Sequence, residues 1–181
     1  FFYRIINRGG DLLNLNDLNQ LIEAKRQEIT EWMEKKRAEV PIPIYGSVDV
    51  RDAGWKIAVV DANHFPAGFN NVAPEDEQHL SALLKNHINR RDEKCRWVHL
   101  YPESHTRNAA YVENLKTLQR LIEQAGFRCT VGSPELADHG SLAGISGPLN
   151  LDIVSLQMVN DEESIVVNGK QPDLILSLIH I

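Results

Sequence analysis

Two stretches of the chain concentrate side chains suited to holding a small charged ligand. Asp49, Arg51 and Asp52 stand before a short apolar run, Ile57 to Val60, and Asp61, Asn63, His64, Asn70 and Asn71 follow it. A guanidinium matches a carboxylate through two parallel hydrogen bonds, so Arg51 is the first candidate for gripping an acid. Asn63, Asn70 and Asn71 offer donors and acceptors together, as recognition of a zwitterionic amino acid needs. Each also has a plainer reading: Arg51 as a surface ion pair with Asp49 or Asp52, and the asparagines near Pro66 and Gly68 as turn formers. The second stretch, Glu103-Ser104-His105-Thr106-Arg107-Asn108, opens a predicted helix. Free N–H groups and the helix dipole favour an anion there, and Arg107 adds positive charge. Capping by Ser104 or Thr106 is the plainer reading of that stretch.

Other chemistries lack their signatures. There is no phosphate-binding lysine loop, no dinucleotide glycine fingerprint, no nucleophile elbow and no paired-histidine zinc helix. Gly144-Ile145-Ser146-Gly147 has the wrong spacing for an elbow. His99 and His105 are not one helical turn apart and have no evident third ligand, so no metal site is expected. Cys95 and Cys129 fit no metal or redox spacing and read as reduced thiols, which points to the cytoplasm. A net charge of −6 leaves no excess of Lys and Arg to offset phosphates, against a nucleic-acid or anionic-membrane partner. The longest apolar runs fall well short of the roughly 20 residues of a spanning helix.

The elements that would position these residues follow from periodicity. At 181 residues, 43% of them apolar, the chain is one domain of ordinary size or a piece of a larger protein, with enough apolar surface for a core. Asn14 or Asn16 caps a long amphipathic helix to about Ala38, with the stripe Leu18, Leu21, Ile22, Ile29, Trp32 and Met33; Pro41 and Pro43 stop it. Ile57 to Val60 reads as a buried strand. Pro74 starts a second helix to about Asn89, with Leu80, Leu83, Leu84 and Ile88 inward and His87 packed beside them. Arg96 to Tyr101 is a strand, and a third helix runs to Ala125 with Tyr111, Leu115, Leu118, Ile122 and Ala125 on one face. Gly126 ends it, and Phe127 to Val131 is the next strand. Strand–helix–strand implies parallel pairing. The loops Pro102–Asn108 and Ser133–Asn150 leave from the carboxyl edge, where ligands of open α/β sheets sit. A structureless stretch as long as the second is expected to be a lid or binding loop. Leu151–Val159 and Ser164–Val167 read as a hairpin, Asn168-Gly169 as a turn, and Asp173 to Leu178 as a final strand. The fold class is α/β: a partly parallel sheet, flanking helices and a C-terminal hairpin. The first residues, Phe1-Phe2-Tyr3, and the closing apolar run Leu174 to Ile181 predict a piece cut at both ends, because domains usually finish in polar residues.

Tyr45 to Asn71, Glu103 to Asn108, and Pro172-Asp173-Leu174-Ile175-Leu176 together resemble the proteobacterial type of glutamate–cysteine ligase. The first stretch is long and specific, and the resemblance runs from about Asp17 to Leu176. It fails at Ser177 to Ile181, where the family continues differently. The resemblance implies a ligase joining L-glutamate through its γ-carboxylate to L-cysteine at the expense of ATP, the first step of glutathione synthesis. It implies ATP and Mg²⁺ as cofactors, held mostly outside this chain, and a likeness to ATP-grasp ligases with this chain as the N-terminal, substrate-side domain, inactive alone. The domains expected are a helical segment over 1–44, an incomplete α/β domain over 45–176 and a truncated or foreign tail over 177–181. On that resemblance Arg51 takes a substrate carboxylate, Asp61, Asn63, Asn70 and Asn71 line the same pocket, and His105, Arg107 and Asn108 face it from the neighbouring strand end. The residues also fit a non-catalytic amino-acid-binding or assembly domain, or another ATP-dependent carboxylate–amine ligase.

Overall fold

The computed structural model describes residues 15–40, 43–54, 56–63, 67–104 and 107–178. His64, His105 and Thr106 lie outside them. The chain divides into two units, residues 1–64 and 65–181.

In the first unit the expected long helix is two helices, α1 (Leu15–Ala24) and α2 (Arg26–Glu39), meeting at Lys25. Backbone hydrogen bonds bracket the break, Lys25 N donating to Leu21 O and Ile29 N to Lys25 O, so the helical path continues with one irregular residue. The packing role does not hold: no residue of α2 is buried, and Trp32 is 58% exposed. An amphipathic stripe records a capacity for burial, and here that capacity is unused. Strands β1 (Ser47–Asp52) and β2 (Ile57–Asn63) form an antiparallel hairpin. The run expected to be a buried strand is thus exposed, with Ile57, Val59 and Val60 each more than half accessible. Among the described residues this sheet has only two strands, and a two-stranded hairpin buries little apolar surface of its own.

The second unit is the α/β part. A 3-10 turn, Pro74–Asp76, leads into α3 (Glu77–Arg91), with Pro and acids in its first turn as expected. Ser81, Leu84 and Ile88 are its buried residues, whereas Leu83, expected inward, is half exposed. Then come β3 (Trp97–Tyr101), α4 (Ala109–Gln124), β4 (Arg128–Val131) and, after the hairpins, β9 (Leu174–Ser177). The sheet order is β4-β3-β9 with both pairings parallel. Val98, Leu100, Cys129 and Val131 are buried on the face packed by α4, whose Val112, Leu115, Leu118, Leu121 and Ile122 are almost wholly buried. A bidentate Arg120–Glu77 ion pair and the Ser81–Gln124 hydrogen bond tie α4 to α3. Asp173 anchors β9 to the sheet: its Oδ2 accepts from the N–H groups of Arg96 and Trp97 at 2.8 and 2.9 Å.

The stretch expected to be structureless, 133–150, carries a 3-10 turn (Pro134–Leu136) and two short paired strands, β5 (Ser141–Leu142) and β6 (Leu149–Asn150). The C-terminal hairpin is β7 (Val154–Val159) and β8 (Glu162–Val167). Asn160 and Asp161 both have positive φ, which gives the two-residue loop whose twist suits a hairpin; Glu162 and Glu163, expected in the turn, belong to the strand. Val154 and Val167 pack on Trp97, and Arg128 lies 4.2 Å over the same indole.

His99 is fully buried on that face. Its Nε2 faces the carbonyl of Gly132 at 3.0 Å, an acceptor only, so Nε2 carries the proton. Its Nδ1 then accepts from the hydroxyl of Thr130 at 2.9 Å, and that hydroxyl accepts from Trp97 Nε1 at 2.8 Å. The imidazole is neutral, and burial holds its pKa below the ordinary 6.5; burial does the same to His87, helped by Arg91 and Arg90. Both cysteines are buried and unpaired, as expected of reduced thiols, and burial raises both pKa values.

Two predictions follow from this packing. A Cβ on Gly132 would stand 2.7 Å from the carbonyl oxygen of Asp152 and 2.9 Å from Val154. Gly132→Ala should therefore lower the stability read from urea unfolding by about 1–3 kcal/mol. With both histidines depressed in the folded state, the unfolded chain binds more protons below pH 6.5. Stability should change little between about pH 6.5 and 8 and fall as pH drops below about 6.5, a slope that His99→Gln makes shallower in urea titrations.

Candidate functional site

The hairpin of the first unit sorts its side chains with the help of one irregularity. Ser47, Val48 and Asp49 pair with Asn63, Ala62 and Asp61; Val50, Arg51 and Asp52 pair with Val59, Ala58 and Ile57. Val60 is the extra residue, a β-bulge opposite the Asp49/Val50 step. Paired residues share a face, and alternate residues of β1 share a face. One face therefore carries Ser47, Asp49, Arg51, Asp61 and Asn63, and the other carries Val48, Val50, Ile57, Val59 and Ala62. Uninterrupted alternation along β2 would have sent Asp61 and Asn63 to the valine face. The bulge brings three predicted site residues, Arg51, Asp61 and Asn63, onto a single polar strip.

Arg51, placed by the sequence reading before a strand, lies within one. The signal was present: Ser47-Val48-Asp49-Val50-Arg51 alternates polar and apolar. The strip opposes two carboxylates, Asp49 and Asp61, directly across the ladder. Like charges in that position destabilise a sheet. Asp61 relieves part of this by accepting the N–H of Ala62 at 2.8 Å. At the hairpin end, Asp52 accepts from Gly54 N at 2.7 Å, and Gly54 takes φ +80.

In the second unit the predicted residues gather around the first half of α4. Asn108 is its N-cap, its Oδ1 accepting from Ala110 N at 3.0 Å; the sequence reading gave that role to Ser104 or Thr106. Asx side chains reach the N–H two residues on, which is why Asn108 wins the cap. Arg107, exposed, sits beside this helix start. His105 lies outside the described residues. Glu103 N donates to Tyr111 Oη at 3.3 Å, which ties the entry loop to the helix. Asn70 and Asn71 belong to a 3-10 turn, Phe69–Asn71, that docks on α4: Gly68 N and Phe69 N both donate to Asn114 Oδ1 at 2.8 Å. Asn70 and Asn71 are exposed and meet each other only at 3.4 Å.

A third loop joins the same helix. Glu113 accepts from Ser146 N at 2.8 Å and from Ser146 Oγ at 2.7 Å, while Lys116 Nζ donates to Ser146 Oγ at 2.6 Å and to Gly147 O at 3.1 Å. The Ser146 backbone N–H, then its hydroxyl, hold the Glu113 carboxyl below its ordinary pKa. Gly144 leaves no room for a side chain, since a Cβ would meet Glu113 Oε1 at 2.6 Å. Ser146 is thus a latch between helix and loop. At the carboxyl end of β3, Tyr101 Oη donates to both carboxylate oxygens of Glu135, at 3.0 and 2.9 Å. Burial, then Glu135, push the Tyr101 pKa to about 12, so the phenol is a donor at neutral pH. Asn114, Glu113, Lys116, Tyr101 and Glu135 were not singled out by sequence reading. Their partners lie 30 or more residues away for all four contacts, and no local pattern marks them.

Two shallow cavities, about 510 and 280 Å³, lie elsewhere in this unit, along α3 and the Ala125–Phe127 corner, and contain none of the predicted residues. Among the described residues no cluster of three or more His, Cys, Asp or Glu could hold a metal ion, and no helix is long and apolar enough to cross a membrane.

The second unit is a parallel α/β fold with loops at the carboxyl edge of its sheet, and the first unit is a hairpin whose polar face carries Arg51 next to the Asp49–Asp61 pair. The chain belongs to the glutamate–cysteine ligase (GshA) family, whose model matches residues 19–178. It is similar to a crystal structure of a candidate gamma-glutamylcysteine synthetase from Methylobacillus flagellatus KT, with 27% identity and a TM-score of 0.78 over 92% of this chain. The chain spans 39% of the length of that structure. The comparison with curated proteins returns no match.

Neutralising one of the opposed carboxylates tests whether the polar strip is strained for a purpose. Asp49→Asn or Asp61→Asn should stabilise the hairpin by roughly 0.5 kcal/mol at low salt. Ligand affinity should fall in the same variants. Chemical-shift dispersion of hairpin amides against temperature reads the first effect, and ligand titration of the same samples reads the second.

Proposed function

We propose that this chain is the substrate-side part of an ATP-dependent ligase that joins the γ-carboxylate of L-glutamate to the amine of L-cysteine. The observation that carries the reading is the family match over residues 19–178. The geometry suits it: an exposed guanidinium, Arg51, sharing one face of the hairpin with carboxylate and amide groups, offers complementary partners to both ends of a zwitterion. Asp49 and Asp61 are suited to an ammonium group, Arg51 to a carboxylate, and Asn63 to either. Within the second unit, taken by itself, Asn70, Asn71, Arg107 and Asn108 are proposed substrate-binding residues, and His105 joins them by sequence alone.

The chemistry is an acyl-phosphate ligation. The γ-carboxylate oxygen attacks the terminal phosphorus of ATP and ADP departs. The cysteine amine then attacks the acyl carbon, loses a proton and expels phosphate. The role of this chain's residues is binding and orientation: holding the amino-acid ends so that only the side-chain carboxylate is presented. Mg²⁺ would offset phosphate charge, but the described residues do not form a site for it. ATP and Mg²⁺ are therefore proposed to be held mostly by parts of the family fold other than these residues, in an arrangement akin to ATP-grasp ligases. A cytoplasmic location is part of the same proposal.

Arg51→Ala in the complete enzyme should lower kcat/KM for the amino-acid substrate by at least a hundredfold while leaving the circular-dichroism spectrum unchanged. Arg51→Lys should recover little, because an ammonium cannot make the paired bond. Retention of wild-type activity by Arg51→Ala would sink the assignment.

A further inference from the structure

The start of a 3-10 turn leaves backbone N–H groups without partners inside the turn. The usual remedy is a Ser, Thr, Asp or Asn at the preceding position. For the turn Phe69–Asn71 that position is Gly68, which has φ +128, a conformation that strains any side-chain-bearing residue, and no local side chain caps it. The cap comes from 46 residues away: Asn114 Oδ1 takes both Gly68 N and Phe69 N at 2.8 Å. Asn114 is 2% exposed, so the acceptor is shielded from water, and the two donors are half-buried.

A local cap would fix only the shape of the turn. A cap from α4 also fixes where the turn sits relative to the helix and sheet. We propose that Asn114 is a positioning residue for substrate binding, holding the turn so that the exposed amides of Asn70 and Asn71 meet an amino-acid substrate at a set place. The inference rests on the ligase reading above and adds to it a residue that touches no substrate itself. Asn114 acts on recognition, with no part in the transfer of the phosphoryl group.

The test compares Asn114→Leu, which keeps the volume and loses the acceptor, with Asn114→Asp, which keeps an acceptor for both N–H groups. Amide exchange at Gly68 and Phe69 is measured alongside steady-state kinetics of the complete enzyme with glutamate, cysteine and Mg-ATP. In Asn114→Leu, exchange at the two amides should accelerate at least tenfold and KM for one amino acid should rise about tenfold or more. The KM for ATP and kcat should stay within about twofold, and Asn114→Asp should recover most of both losses. Faster exchange with all KM values unmoved overturns the positioning assignment, as does an equal loss in every kinetic parameter. A wild-type enzyme that releases no ADP in the presence of both amino acids overturns the ligase reading instead, and with it the substrate named here.

Discussion

Helix α4 can bury only one stripe of its surface, and the second unit is organised around that limit. Val112, Leu115, Leu118, Leu121 and Ile122 fill the stripe against the sheet, which leaves Asn108, Glu113, Asn114 and Lys116 turned toward loops. The loops carry backbone donors that need acceptors, and the helix supplies them: Glu113 for the Gly144–Gly147 turn, Asn114 for the Gly68–Asn71 turn. Two consecutive residues thus hold two segments far apart in sequence. Rigidity at the carboxyl edge of the sheet comes from the same helix that completes the core, so packing and loop placement share one element.

The first unit solves a different problem. A two-stranded hairpin has no interior, so its residues are not selected by burial but by which face they reach. The Val60 bulge decides that for Asp61 and Asn63, and the cost is an opposed pair of carboxylates. Local unfavourable charge at an otherwise regular element is the pattern expected where stability is spent on recognition.

Periodicity and turn chemistry made much of the architecture legible. The parallel β3–α4–β4 unit, the existence of the C-terminal hairpin, the Asn168-Gly169 turn and β9 were all expected from the residues, though the hairpin loop is two residues where four were expected. Burial was less legible. Ile57 to Val60 and the stripe Ile29, Trp32 and Met33 look like core residues in sequence and are exposed, because apolarity says that a surface can be covered but not that a partner layer exists. Arg51, Asp61 and Asn63 could be picked out in sequence as candidates, yet not the face they share, since a bulge changes the parity of a strand without altering its composition. Asn114 left no trace in sequence at all: a buried amide and the turn it caps are joined only in three dimensions.

The hairpin's open edges give its charges a second duty. Among the described residues each strand has one unpaired side, and the valine row on one face has the composition of strands that recruit further strands. Asp49, Arg51 and Asp61, crowded onto the other face, act as gatekeepers that make stacking with a second copy electrostatically awkward. Colloidal behaviour therefore depends on these side chains, and a neutral substitution there lowers solubility.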